Sequence, residues 1–355
     1  MNDMLETFRA RVLDATRDRL PLRIRGGGSK DWYGRPPEGA LLETALHRGI
    51  TSYEPTELVI TARCGTPLRE IEAALAAQGQ MLAFEPPHFG DAATIGGVVA
   101  SGLAGPRRQA AGAVRDFVLG ATLLNGQGDV LRFGGQVMKN VAGYDVSRLL
   151  AGSLGMLGLI LDVSLKVLPR PAMEASLRLA CDEEAALRHV NAWAGQPLPV
   201  SATAWHAGEL TVRLSGAAAA VDAAARRIGG DALPAAAAES FWHDVREQRH
   251  GFFTGEPATP LWRLSVPTVA PPLASGTEQL IEWGGGQRWL RTNDAPDSVR
   301  ALAARLGGHA TLYRGAARHD VFHPLAPAVH AIHRNLKNAF DPAGIFNPGR
   351  MYGDL

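Results

Sequence analysis

Two clusters of small residues in this chain have the composition to hold an anion. The first is Arg25-Gly26-Gly27-Gly28-Ser29, and the second runs from Thr94-Ile95-Gly96-Gly97 to Ala100-Ser101-Gly102. Consecutive N–H groups with no side chain in front of them form a nest for phosphate oxygens, so the first cluster suits a diphosphate. In the second, Thr94 is placed to cap a helix, and Gly96 and Gly97 would let the N–H groups at that helix start approach the same oxygens. Pro86 and Pro87 stiffen the approach, and from Ala92 to Gly102 no side chain carries a charge. Taken alone, the second cluster reads equally well as a tight loop and short helix packed for structural reasons. The first cluster moves the reading to a two-walled dinucleotide cradle. No GxxxxGK[ST] is present and no GxGxxG opens a helix, which disfavours nucleotide hydrolysis and a Rossmann-bound cofactor.

Other residue types that carry chemistry are less well placed. His319, His323, His330 and His333 crowd one stretch at i,i+4 and i,i+3 spacing. Pro324 and Pro327 interrupt the helix that would align all four, and no acidic or cysteine ligand joins them at a diagnostic spacing, so no metal is expected. Arg263, Arg288 and Arg291 could clamp a carboxylate from their strands, although arginines on exposed strands usually serve solvation. No base suggests itself, and the catalytic residues stay unassigned. Cys64 and Cys181 lack CxxC spacing, which argues against a disulfide framework or a thiolate metal set and for reduced, buried thiols. Phe241, Trp242, Phe252 and Phe253 read either as a patch for docking a second subunit or as a satellite core.

The elements that must position the two clusters follow from periodicity and punctuation. A chain of 355 residues exceeds the usual size of one core, so two domains are expected. With 36 basic against 35 acidic residues the net charge is +1, which gives no electrostatic footprint for nucleic acid or anionic lipid. The first twenty residues are charged throughout and no apolar run approaches a membrane span. A cytoplasmic location is therefore expected, with any membrane association at the periphery through a partner. Met4, Leu5, Phe8, Val12 and Leu13 mark a helix that stops before Pro21, and residues 22–25 then form a strand running straight into the first cluster. Thr66-Pro67 opens a second helix with Leu68, Ile71 and Leu75 as its buried stripe. ATLL and VLRF flank the turn Asn125-Gly126-Gln127-Gly128 as a hairpin, and Leu159 to Val167 alternates as a strand. Pro169-Arg170-Pro171 marks a boundary. Beyond it, strands such as ELTVRLS, LWRLSV, QRWLR and ATLYR alternate with helices, as in an antiparallel sheet with helices on one face. The expected organisation is an α+β chain with one domain over residues 1–168, a second over 169–325, and a helix and tail over 326–355 that return to the first.

In their order, EPPHFGDAATIGG, KNVAGYDVSRLLAGSLGMLG, IEWGGGQRW and FDPAGIFNPGRMY, together with the RGGGS loop, resemble the vanillyl-alcohol-oxidase-type (PCMH-type) flavoproteins. The likeness covers residues 21 to 168 and returns at the tail, and within that family it is greatest to the E-subunit branch of bacterial glycolate oxidases. It implies a PCMH-type FAD-binding domain of two α/β subdomains plus a smaller antiparallel-sheet α+β domain, with FAD as cofactor. Carried over by position, the backbone of Arg25, Gly26, Gly27, Gly28 and Ser29 grips one side of the FAD pyrophosphate. Pro87, Thr94, Ile95, Gly96, Gly97, Ala100, Ser101 and Gly102 hold the other side and the ribityl chain. Arg115 and Asp116 fall where the family passes near the cofactor, Gly155, Gly158 and Ile160 beside the adenine or the flavin, and Asn347 near the ring system. His88 either hydrogen-bonds FAD or packs the Pro-Pro turn, and Lys139 and Tyr144 face the cofactor or a partner. The implied partners are a larger FAD-containing glycolate oxidase subunit and an iron–sulfur subunit.

Two departures qualify the likeness. Relatives with covalently attached flavin carry a histidine at the end of the RGGG loop, where Ser29 stands here, so the FAD is expected to be non-covalent. The catalytic subunits carry GSEGTLG and an HxGDGNxH segment, whereas residues 152–158 here read GSLGMLG and the histidine-rich segment is missing. Three functions compete. The first is an FAD-binding subunit of a complex that oxidises glycolate to glyoxylate. The second is a stand-alone FAD-dependent 2-hydroxy-acid dehydrogenase, and the third a structural subunit without cofactor.

Overall fold

The computed structural model describes residues 2–135, 145–255, 258–273, 276, 278–316 and 318–355; Lys139 and Tyr144 lie outside the described residues. The helix Asn2–Asp18 buries Phe8, Val12 and Ala15. Strand Leu22–Arg25 pairs in parallel with Ala40–Glu43. Its other edge takes the chain's tail, with Leu22 N–H donating to the Ile345 carbonyl at 2.7 Å and Asn347 N–H to the Leu22 carbonyl at 2.9 Å. The backbone is therefore held on both sides just before it enters the RGGGS loop.

A five-stranded antiparallel sheet runs in the order Ile50–Glu54, Val59–Arg63, Leu159–Lys166, Val118–Leu124, Val130–Gly134. Helices Leu68–Ala76 and Ile95–Ser101 share its core. Leu68, Ile71 and Leu75 lie at helical spacing and are fully buried, each contributing roughly 1.5–3 kcal/mol of transfer free energy. The second helix is thereby fixed against a rigid support, and it carries the second small-residue cluster.

The remaining large sheet has eight antiparallel strands. Their order is Asp231–Ala232, Met173–Ala180, Glu209–Gly216, Val200–His206, Gln279–Glu282, Gln287–Arg291, Leu261–Ser265, His309–Arg314. Because side chains alternate along a strand, one face buries Val212, Leu214, Leu264 and Leu290 against the helices Glu183–Ala194, Ala218–Ile228 and Pro296–Arg305. The opposite face turns Leu280, Trp289 and Tyr313 toward Tyr33 and Leu103 of the first half. One helix breaks the expected one-sided arrangement. Ala235–Arg246, which begins in the alanine tract rather than at Glu239, lays Trp242 on Ala202 and Ala204 and donates from Trp242 Nε1 to Ser176 Oγ at 2.8 Å. Trp242, Phe252 and Phe253 are all buried, so of the four aromatics read as a docking patch these three belong to the interior.

A buried ionic staple joins the two halves. Glu85 pairs with Arg107 at 3.3 Å and with Arg213 at 2.9 Å, and Arg107 also reaches Glu174 at 2.5 Å. Both guanidiniums are nearly inaccessible; removing Glu85 would leave Arg107 with Glu174 but take from buried Arg213 its carboxylate, at a cost of about 3–5 kcal/mol.

Candidate functional site

The two small-residue clusters meet. A Cβ added at Gly27 would stand 1.4 Å from the Ala92 carbonyl oxygen, and one at Gly26 would stand 2.3 Å from Thr94 Oγ1. Glycine is thus required for the RGGGS loop to lie on the backbone of residues 92–94. Next to this contact run two adjoining cavities that share Ile24, Gly26, Gly97, Ala100, Leu154 and Asn347 in their walls and form one groove. Gly27, Gly28, Ser29 and Ser101 border it on one side, and Thr44, Cys64, Gly96, Gly155, Gly158 and Ile160 on the other.

The loop supplies donors. No carbonyl or side chain among the described residues accepts from the N–H groups of Gly27, Gly28 or Ser29. Gly28 takes φ +73°, which turns successive N–H groups toward one side as in an anion nest. The helix wall behaves differently. Thr94 caps it as the sequence predicts, accepting from Gly97 N–H at 3.4 Å. The expected free N–H groups are however already used, Ile95 N–H donating to the Thr66 carbonyl at 2.9 Å and Gly96 N–H to the Cys64 carbonyl at 2.8 Å. This helix is seven residues long and gives the groove clearance rather than charge. Gly97 defines that clearance, since a Cβ there would meet only Thr94 Oγ1, at 3.4 Å, and otherwise point into open space.

Several cations line the diphosphate end. Arg23, Arg25, Lys30 and Arg350 face it with a single carboxylate, Asp31. Asp31 is shared by Arg23 at 2.6 Å and Arg25 at 3.1 Å, which leaves a local excess of positive charge. Among the described residues the Lys30 ammonium touches Ser29 Oγ and the His88 carbonyl, both at 3.3 Å, and the Phe89 ring, with the Glu247 carboxylate favouring its charge from further away. Burial pushes Lys30 down to about 8. Burial likewise lowers Arg350 to about 10, while its Nη2 donates to the Asp31 carbonyl at 2.8 Å. Neither Lys30 nor Arg350 was singled out by the sequence reading. Their signal was adjacency, one directly after RGGGS and the other closing NPGR.

Asn347 is in the groove wall, but its amide is committed to structure. Oδ1 accepts from Ile24 N–H at 2.8 Å and Nδ2 donates to the Leu154 carbonyl at 2.7 Å. Below it, Lys337 Nζ donates to Asp341 at 2.7 Å and to the Met156 and Phe346 carbonyls, locking the tail turn. The Cys64 thiol is buried and pushed up to about 12, so it is a wall atom and not a nucleophile.

Six expected positions do not line this groove, among them Ile95, whose side chain is fully buried in the core behind the helix. Pro87 borders a separate cavity under the eight-stranded sheet. The His88 ring pairs with Glu72 at 2.8 Å and the His88 backbone N–H donates to Glu247, so the residue fastens the Pro-Pro turn. Gly102 ends the helix in the left-handed conformation (φ 64°) against Gly152. Arg115 and Asp116 sit on an exposed turn, where Asp116 accepts from Ala113 N–H at 2.9 Å, because a short 3-10 segment draws that carboxylate back onto its own backbone. Of the three arginines considered for a carboxylate, Arg288 is fully buried and donates to the Ala270 and Pro271 carbonyls. Arg291 is also buried, so neither stands on an exposed strand. The histidines disperse as well. His330 pairs with Asp354 at 2.9 Å and His333 contacts its own helix, and no cluster able to hold a metal occurs among the described residues.

A phosphate-bearing dinucleotide fits this lining: free N–H groups and an excess of cations over carboxylates at one end, mostly small uncharged residues along the rest. Comparison with known proteins agrees. The FAD binding domain family matches residues 5–134. The chain is 48% identical over 353 residues to glycolate oxidase subunit GlcE of Escherichia coli strain K12, covering 99% of each chain. To glycolate oxidase subunit GlcD of Bacillus subtilis strain 168 it is 32% identical over 161 residues, 45% of this chain and 34% of that one. Among solved structures, alkyldihydroxyacetonephosphate synthase superposes with a TM-score of 0.67 over 96% of this chain and 73% of its own, at 14% identity, a likeness of fold alone.

Proposed function

The chain belongs to the GlcE family of glycolate oxidase subunits, and from that premise we propose that it is the FAD-binding subunit of a complex that oxidises glycolate to glyoxylate. Bound FAD supplies the electron-accepting chemistry for a 2-hydroxy acid. The N–H groups of Gly27, Gly28 and Ser29 hold the diphosphate, Lys30 and Arg350 offset its charge, and Gly97 and Ala100 leave the room in which the cofactor lies. Ser29 offers no imidazole for a covalent link, so the cofactor is dissociable. A larger flavoprotein subunit and an iron–sulfur subunit complete the complex and carry the electrons onward. Among the described residues no helix is long and apolar enough to cross a membrane, and contact with one would come through those partners.

The observation that carries this reading is the convergence of unused donors and excess cations on one groove whose facing wall lacks side chains. Purification of the chain tests it. A yellow preparation that releases FAD on acid treatment and co-purifies with the two other subunits is expected. A colourless protein that takes up no added FAD would overturn the reading.

A further inference from the structure

The lysine that follows the RGGGS loop is held from the other half of the molecule. Helix Ala235–Arg246 is capped at its end by Glu247, whose side chain is 4% exposed. Glu247 Oε2 accepts from the His88 N–H at 3.1 Å and the Phe89 N–H at 3.0 Å, and Oε1 takes the Arg246 guanidinium at 2.9 Å. The Phe89 N–H belongs to the same peptide group as the His88 carbonyl, and that carbonyl accepts from Lys30 Nζ at 3.3 Å. In a trans peptide the N–H and C=O point in opposite directions. One peptide group therefore stands between ammonium and carboxylate with its dipole favourable to both. Phe89 is held at φ +52°, a left-handed conformation uncommon for a residue with a bulky side chain. Such backbone strain persists only where surrounding bonds fix it, and here those bonds are the two N–H groups on Glu247. The ring of the same Phe89 lies 5.6 Å from the Lys30 ammonium.

We propose that Glu247 is a positioning residue of the cofactor groove: from the second half it clamps the peptide between His88 and Phe89, which in turn sets Lys30 beside the diphosphate end. Glu247 does not itself line the groove, so cofactor retention becomes dependent on how the second half is docked. The other charged groups around the clamp are engaged elsewhere. The His88 ring is turned to Glu72 at 2.8 Å, Asp31 is shared by Arg23 and Arg25, and Arg350 reaches only the Lys30 carbonyl, at 3.5 Å. Burial disfavours both members of the pair. It lowers Lys30, with Glu247 opposing the fall, and it acts to raise Glu247, where the Phe89 N–H, Arg246 and His88 outweigh it and keep the carboxyl below its ordinary range. That Lys30 meets a diphosphate rests on the FAD reading above, whereas the hold of Glu247 on Lys30 does not.

Two substitutions separate the clamp from its charge in FAD titrations of the purified chain across pH. Glu247→Gln keeps an oxygen for the two N–H groups and loses the charge. The decline of FAD affinity with rising pH should then begin at lower pH than in wild type, with a loss of roughly threefold at pH 8, the scale of one screened charge pair. Glu247→Asp keeps the charge and withdraws the carboxylate by one methylene, so roughly tenfold weaker binding at every pH is expected, with the profile unshifted. Added to Lys30→Met, Glu247→Gln should cost no further affinity, because its charge acts through the lysine. The chain has four lysines, so the Lys30 ammonium can be followed in apoprotein by NMR of lysine-labelled protein, Lys30→Met identifying its signal. In Glu247→Gln that signal should titrate at lower pH than in wild type. Lys30 titrating alike in the two, or losses that simply add in the double variant, would overturn the proposal. Apoprotein that shows the Lys30 shift but takes up no FAD would sink the cofactor reading and leave Glu247 as the residue that holds Lys30. Protein that binds FAD without the shift would do the reverse.

Discussion

The two small-residue walls of the groove look alike in sequence and differ in what they contribute. Along residues 26–29 the backbone N–H groups stay free and cations gather beside them, whereas along residues 94–101 the first helical N–H groups are taken by Thr66, Cys64 and Thr94. One wall attracts and the other makes room. A glycine run therefore has two separate uses near a diphosphate, donation and clearance, and only the partners of its N–H groups distinguish them.

The sharpest way to break this comparison is to add side chains to each wall. Gly27→Val drives its Cβ into the Ala92 carbonyl, so loss of soluble, folded protein is expected, read by circular dichroism and yield. Gly97→Leu meets almost no protein, so the fold should keep its Tm while FAD affinity falls roughly 100-fold, independent of salt. Neutralising the attracting wall gives a smaller loss with a different signature. Lys30→Met should weaken FAD by roughly tenfold at low ionic strength and less at high, in a fluorescence titration.

Lys30 also gives opposite pH signs for apoprotein and complex. Its value of about 8 in the folded chain lies below the ordinary 10.5, so the folded state binds fewer protons between these limits and apoprotein stability rises with pH across that window. A bound diphosphate favours the ammonium, so FAD affinity should fall a few-fold as pH rises past 8. Parallel Tm and FAD titrations from pH 7 to 10 check this crossing. The smallest effect expected is that of Thr94→Ala, about 1 kcal/mol of stability from the lost cap with FAD affinity little changed.

Much of this was legible where the physics is local. The Leu68, Ile71 and Leu75 stripe, the Asn125–Gly128 turn and the Thr94 cap are all set by residues a few positions apart, and the structure has them as read. What escaped was set by distant partners. The spent N–H groups of Ile95 and Gly96 depend on carbonyls about thirty residues earlier, and the Glu85 staple depends on Arg213 from the other half. Position in a family pattern put Arg115 and Asp116 near the cofactor, but nothing local told that Asp116 would cap its own turn. Lys337 and Asp341, an i,i+4 pair, are buried with the tail that carries Asn347, a placement set by the returning chain and not by their spacing.

The central claim is that the groove recognises a diphosphate through free backbone donors. Titrating apoprotein with FAD and, separately, with riboflavin, which has the same ring system and no phosphate, tests it most directly. The account predicts tight uptake of FAD and at least a hundredfold weaker binding of riboflavin, roughly the worth of two charge-assisted hydrogen bonds. Equal affinity for the two, or uptake of neither, would contradict it.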